Sequence, residues 1–250
     1  MDYQRKVSKT ILHVLAAVLL ATTLAATASA QYTVTFFDGT FGPGWIGSVA
    51  GHHGHVTFSF ATKPTGGYPG AWEEESHTWS GTDAVVFLAN FNPINTFTGS
   101  FASLSYSYDL EAAPGQGGIL YAIAVEQMVA GVPTVYIPND AGPTIVRLDV
   151  VSAGDTWQVA PNPYFTTGLI ASQFCRIPSN ISYTTPLDCS SHPDFSNPTL
   201  PTVFGYAIGN SFIGTKTVTE HSGIDNWCVV LNNASAPGGS GRGCGGVPNP

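Results

Sequence analysis

Ser103-Leu104-Ser105-Tyr106-Ser107-Tyr108-Asp109-Leu110 alternates without a break between small polar and large apolar side chains. Successive side chains of a β-strand point to opposite faces. Leu104, Tyr106, Tyr108 and Leu110 therefore share one face, and Ser103, Ser105, Ser107 and Asp109 share the other. A strand with one packing face and one watered face belongs to an antiparallel sandwich. The same period runs outward in both directions. Downstream, Gly115 to Gly118 turns the chain, and Ile119, Tyr121, Ile123 and Val125 make the next inward face. A turn at 131–133 makes 119–137 a hairpin. Val146, Leu148 and Val150 follow, then Phe204, Tyr206 and Ile208, and 224–231 closes the sheet. Upstream, Val56, Phe58 and Phe60 alternate with Thr57 and Ser59, and the apolar run 84–89 is expected to be buried on both faces. Only 164–174 reads as a short helix, and 175–201, rich in Pro, Ser and Asn, reads as a long loop. The pattern predicts an all-β fold, a two-sheet antiparallel jelly-roll sandwich with at most one short helix.

Residues 1–30 stand apart. Arg5, Lys6 and Lys9 precede an apolar run over 11–25, and Ala28-Ser29-Ala30 offers a small-x-small cleavage site, the pattern of a secretory signal peptide. The expected organisation is a signal peptide over 1–30, a β-sandwich domain over 31–231 and a Gly/Pro/Ser-rich tail over 232–250. Without Arg5, Lys6, Lys9 and Asp2, five basic and fifteen acidic residues give a net charge of −10. That balance disfavours nucleic acid and anionic lipid as partners. No later stretch is apolar and long enough to span a bilayer. The predicted location is secreted, extracellular or periplasmic.

Cys175, Cys189, Cys228 and Cys244 all lie in the last third of the chain. An even count behind a signal peptide points to two disulfides, with three pairings open. Cys175–Cys189 and Cys228–Cys244 close the short local loops and are preferred. In the closing strand Trp227, Val229 and Leu231 share a face, which leaves Cys228 on the other, within reach of the tail.

Two short segments carry a resemblance. Phe37-Asp38-Gly39 with Gly44-Trp45 resembles the opening of secreted jelly-roll modules, and Gly223-Ile224-Asp225-Asn226-Trp227 resembles their closing strand. These patterns are similar to carbohydrate-binding-module-like and galactose-binding-like sandwiches and to laminin-IV-type domains. The Gly-rich turn over 66–71 is similar to that of the last group. The two ends of the domain are thus expected to meet. The resemblance also implies a structural Ca²⁺ shared by Asp38 and Asp225, because Ca²⁺ takes hard oxygen ligands. Asn226 stands where many members carry a second Asp. The competing role for Asp38 and Asp225 is to hold turns through backbone hydrogen bonds.

Tyr68 to Trp79, with Trp72, Glu73, Glu74, Glu75 and His77 between, reads as an unusual loop. Aromatic rings stack on sugar faces and carboxylates accept from hydroxyls, so Tyr68, Trp72, Glu75 and Trp79 are the candidate ligand residues. The alternative makes Trp72 and Trp79 core lids and the Glu run a solvated edge. His52, His53 and His55 offer a His-x-His metal grip without a certain third ligand, or a polar turn. Glu73 and Glu75 alternate onto one side, as a glycosidase pair would, but the segment lacks β-branched residues. The leading functional expectation is a non-catalytic glycan- or matrix-binding protein with a polysaccharide or glycoconjugate partner. A structural extracellular protein without a small ligand is the alternative, and a β-sandwich glycan hydrolase or lyase the second.

Overall fold

The computed structural model describes residues 31–67, 70–112, 119–139, 149–151, 165–239 and 244. The signal-peptide stretch, Tyr68 and most of the tail beyond 239 lie outside the described residues. In chain order the strands are β1 (Tyr32–Asp38), β2 (Ile46–Gly67), β3 (Gly70–Thr98), β4 (Ser103–Ala112), β5 (Ile119–Val129), β6 (Val132–Pro138), β7 (Asp149–Val151), β8 (Phe165–Leu169), β9 (Phe174–Arg176), β10 (Pro201–Ser211) and β11 (Thr215–Ala234). All pair antiparallel in one hydrogen-bonded sheet, ordered β8-β4-β11-β3-β10-β5-β6-β9, with β1 on β11, β2 on β3 and β7 on β5.

That single sheet becomes a two-layered sandwich because its longest ribbon bends. β2 follows β3 from Gly70 to Phe91. Along the other edge of β3, residues 73–82 pair with β11 and residues 85–98 pair with β10. The bend lies between these halves, so residues 73–82 join β11 in a front layer and residues 85–98 join β10 in a back layer. There Gly54 has φ +98° and Gly81 φ +146°, and the β2 register shifts between His53 and His55. A Cβ on Gly54 would stand 2.6 Å from the Ser80 carbonyl oxygen, so the crossing requires glycine. Asp83 (φ +51°) fixes the corner, since its Oδ1 accepts from Gly214 N at 2.7 Å. Strands that switch layers at a bulge are how sandwich corners are built.

The layers close on each other. Phe36 of β1 meets Phe204 of β10 at 5.4 Å between ring centroids, and Tyr108 of β4 meets Tyr121 of β5 at 6.4 Å. Trp227 donates from Nε1 to the Gly205 carbonyl across the interior, at 3.2 Å. Leu104, Tyr106, Tyr108 and Leu110 lie in this core with Trp227, Val229 and Leu231, as their alternation predicts. Ala84, Val86 and Leu88 face the same core, while Val85, Phe87 and Ala89 face a second one outside the back layer. The run is thus buried on both faces. The first and last strands also meet, with Asp38 opposite Trp227 in the β1–β11 ladder.

Three expectations are corrected. The 164–174 stretch is not an α-helix: β8 pairs with β4, and only Ala171–Gln173 makes a 3₁₀ turn before β9. Thr166 and Thr167 resist a helix, Gly168 sits at φ +69°, and a free ladder edge on β4 takes the segment. The segment up to Trp79 is strand β3 from Gly70 onward rather than loop, because it is laddered on both sides by β2 and β11. The polar face of β4 does not meet water: Ser105, Ser107 and Asp109 are buried. Ser105 Oγ accepts from Gly168 N of β8, and Asp109 Oδ2 accepts from Asn226 Nδ2.

Disulfides join Cys175 to Cys189 and Cys228 to Cys244. The first staples a loop whose Ile177, Ile181 and Leu187 cover the outer core of the back layer. Its loop spans 14 residues in sequence, a length for which the chain-entropy effect is about 3 kcal/mol. Replacing both Cys175 and Cys189 by Ser is expected to lower the unfolding free energy by about that amount, read from urea midpoints.

Candidate functional site

The inner face of the front half of the β2–β3 ribbon is where polar chemistry concentrates. Cross-strand partners in a sheet share a face. The registers therefore set four rows across β2, β3 and β11: Val56–Trp79–Val218, Phe58–His77–Glu220, Phe60–Glu75–Ser222 and Thr62–Glu73–Ile224. Glu73, Glu75, His77, Trp79, Glu220 and Ser222 are all buried. Phe58 is 36% exposed at the β2 edge and touches Phe60, at 5.8 Å between centroids.

The buried polar groups are wired together. Glu75 Oε1 meets His77 Nδ1, and Glu75 Oε2 accepts from Ser222 Oγ at 3.1 Å. The Ser222 hydroxyl also pairs with Tyr121 OH of the opposite layer. Glu73 Oε2 accepts from Thr62 Oγ1 at 3.0 Å. Asn90 Nδ2 donates to Tyr206 OH at 2.9 Å. Burial pushes the Glu73 carboxyl up to about 7, against the hydrogen bonds from Thr62 and Asn90 that favour its charge, and Asp38 adds repulsion. Burial also holds the Tyr206 hydroxyl well above the usual phenol range. His77 Nε2, Trp79 Nε1 and Asn90 Oδ1 are buried with no hydrogen-bond partner among the described residues. A site built this way can accept hydroxyl hydrogen bonds and can hold or release a proton near neutral pH.

The four residues singled out from sequence do not form one cluster. Glu75 and Trp79 point inward, and Trp79 packs on Phe212 and His77 as a core side chain. Trp72 lies on the opposite face of β3, where its Nε1 donates to Thr65 O at 3.1 Å near the hairpin tip. Tyr68 lies outside the described residues. Sequence reasoning missed Phe58, His77, Glu220 and Ser222. The signal for His77 was the i, i+2 spacing that the Glu73 and Glu75 alternation continues to His77 and Trp79, whereas Phe58, Glu220 and Ser222 join through the ladder registers of β2 and β11.

Asp38 and Asp225 hold local structure. Asp38 Oδ1 accepts from Thr40 N and Oδ2 from Trp45 Nε1, at 3.0 and 2.9 Å. Asp225 Oδ1 accepts from Asn226 N at 2.7 Å, and its ladder partner is Asp109 on β4, whereas Asp38 stands opposite Trp227. Asn226 sits at φ +49°, a conformation Asn tolerates better than most side chains. Among the described residues no group of three or more His, Cys, Asp or Glu is arranged to hold a metal ion. His52, His53 and His55 are exposed around the Gly54 bend, separated by its register shift.

No family model and no curated protein matches this chain. Among solved structures it is similar to the family 11 carbohydrate-binding module of a cellulosomal cellulase of Clostridium thermocellum, at 13% identity and a TM-score of 0.43, over 84% of this chain and 98% of that one. A structure of a family 11 module from the same organism, in complex with a β-1,3-1,4-mixed-linked tetrasaccharide, is similar at 15% identity and a TM-score of 0.44, over 80% and 96%. The xylan-binding CBM22-1 domain of Paenibacillus barcinonensis Xyn10C is similar at 12% and 0.35, over 82% and 97%.

Proposed function

We propose that this chain is a secreted, non-catalytic glycan-binding β-sandwich protein whose ligand lies along the β2 edge of the inner face. One observation carries the reading: Glu73, Glu75, His77 and Glu220 occupy positions that a purely structural sandwich fills with apolar side chains. Burying such groups is unfavourable unless they are satisfied, and proteins keep such arrangements where they serve a site. Phe58 and Phe60 offer ring faces beside them, the pairing of apolar surface and acceptors that a sugar requires. Two disulfides support an oxidising, extracellular setting.

Retention on a panel of insoluble and soluble polysaccharides tests this. Binding to at least one is expected, and Phe58→Ala should weaken it roughly fivefold, the loss of about one stacking contact. No retention on any polysaccharide, or retention untouched by Phe58→Ala, would overturn the placement. Weakening by Trp72→Ala instead would move the ligand to the face of β3 that carries Trp72. The glycan hydrolase reading is favoured by one specific observation, a carboxyl at about 7 in Glu73 two residues from Glu75. Reducing-sugar release by the wild type, abolished in Glu75→Gln with the fold intact, would establish it. If Asp38 and Asp225 share an ion, a chelator lowers the melting temperature of the wild type and not of Asp225→Ala; an unchanged wild-type melt ends that idea.

A further inference from the structure

A groove of about 360 Å³ crosses the outer face of the back layer, away from the inner-face site. Its wall is a short stretch of the stapled loop that bridges the sheet. Ile177 N donates to Val135 O of β6 at 2.9 Å, and His52 N of β2 donates to Ser179 O at 3.2 Å. The stretch is therefore pinned at both ends, and Gly51 is needed beneath it because a Cβ there would stand 2.3 Å from Pro178 O. The Cys175–Cys189 bridge ties its start. The groove is thus framed by backbone hydrogen bonds and a disulfide, and preformed binding sites are framed in this way.

Its lining mixes hydrogen-bonding types. Arg176 and Asn180 present N–H donors, Glu126 presents a carboxyl acceptor, Ser48 and Ser179 present hydroxyls that do both, and the Thr134 hydroxyl, which donates to Val132 O at 3.2 Å, presents an acceptor. Arg176 is oriented by Asp188, which accepts from its Nη2 at 2.6 Å. Glu126 is half-buried and burial raises its pKa, so a neutral partner suits it better than an anion. Among the described residues, no aromatic side chain lines the groove. A phosphate or nucleic acid would face Glu126 and the chain's negative balance. A polyol ring satisfies the mixture, because every hydroxyl donates and accepts at once, and its C–H faces fit the apolar lining of Val49, Val135 and Pro178. The volume lies at the small end of ligand sites, about 300–1,000 Å³, the scale of a short oligosaccharide.

We infer that this groove is a second saccharide site, one that takes a neutral disaccharide-sized glycan through Ser48, Glu126, Thr134, Arg176, Ser179 and Asn180. It rests on the proposed function for the class of ligand and on none of that site's residues. Two sites, one on the inner face of the front half and one on the outer face of the back layer, would let one chain engage two glycan strands, with avidity beyond either site.

The test is amide-resolved NMR titration of the full chain with cellobiose, xylobiose, mannobiose and chitobiose, with glycylglycine and inorganic phosphate as contrasting probes. At least one disaccharide should shift the amide signals of Ser48, Thr134, Arg176, Ile177, Ser179 and Asn180 saturably. Thr134→Trp, which fills the groove, should weaken that binding by at least about tenfold, and Phe58→Ala should leave it unchanged. Asn180→Ala, at an exposed turn, is the second variant should Thr134→Trp misfold, and it too should weaken binding. The inference falls if no disaccharide moves these signals, if neither groove variant alters affinity, or if glycylglycine or phosphate produces the same shifts more tightly. Lost polysaccharide retention with the groove shifts intact sinks the inner-face site alone; the reverse sinks the groove alone.

Discussion

Trp227→Ala should lower the unfolding free energy by about 3–5 kcal/mol, the range for truncating a fully buried large aromatic. Trp227 is wholly buried and edge-on to Trp45 at 5.3 Å between centroids. Its N–H is also a direct tie between β11 and β10. Truncation would open a cavity at the seam of the two layers and orphan the Gly205 carbonyl. For a chain of this size the melting temperature should fall by roughly 6–20 °C. Trp227→Phe keeps a ring against Trp45, so its loss should be smaller than that of the alanine variant: the hydrogen bond, about 1 kcal/mol, and the cavity left by the smaller ring. Guanidinium unfolding of the three proteins decides the matter. An alanine variant within 1 kcal/mol of wild type would show that this residue does not hold the layers together.

The second large effect is a pH dependence that belongs to Glu73. Its carboxyl is raised from 4.5 to about 7 in the folded chain, first by burial. Between those pH values the folded state holds a proton that the unfolded state has released. Stability is then greatest below about 4.5 and declines as pH rises through about 7. The full shift would correspond to about 3 kcal/mol. Solvent at the β2 edge, where Phe58 and Thr62 are exposed, screens it to roughly 1–2 kcal/mol. Glu73→Gln should therefore be more stable than wild type at pH 8 and nearly equal at pH 4. Because other groups titrate alike in both proteins, the difference between their melting curves isolates Glu73. A difference that does not change with pH would refute the assignment. A glycan bound near Glu73 would also respond, since its acceptor charge appears only above about pH 7.

Both effects trace to the same accident of spacing. The alternation in Leu104 to Leu110 and the apolar run 84–89 were enough to predict antiparallel layers and a doubly buried central strand. Trp227 and Cys228 could be placed on opposite faces from their adjacency alone. Their contacts across the sheet then follow, with Trp227 in the core and Cys228 bonded to Cys244. The Glu73 to His77 segment resisted the same treatment, because charge density usually marks exposed loop. Its strand character comes from ladders on both sides, with the neighbouring β2 on one and with partners 140 or more residues away on β11 on the other. Asp109 misled in the opposite direction: polarity on β4 suggested water, and β8 and Asn226 cover it instead.

Local chemistry determined what is periodic in this protein: the all-β class, the inward faces of β4, β5 and β11, and cysteines spaced for short bridges. Period-2 alternation is a property of neighbouring residues, so sequence carries it complete. Only the tertiary structure decided that β2 and β3 bend at Gly54 and Gly81 and join both layers. The same holds for the meeting of Ser222 with Glu75 and with Tyr121, and for the loop stretch that bridges the back layer to frame a groove. Each of these depends on which distant ladder edge a segment finds, and that is set by the packing of the whole chain rather than by the residues on either side.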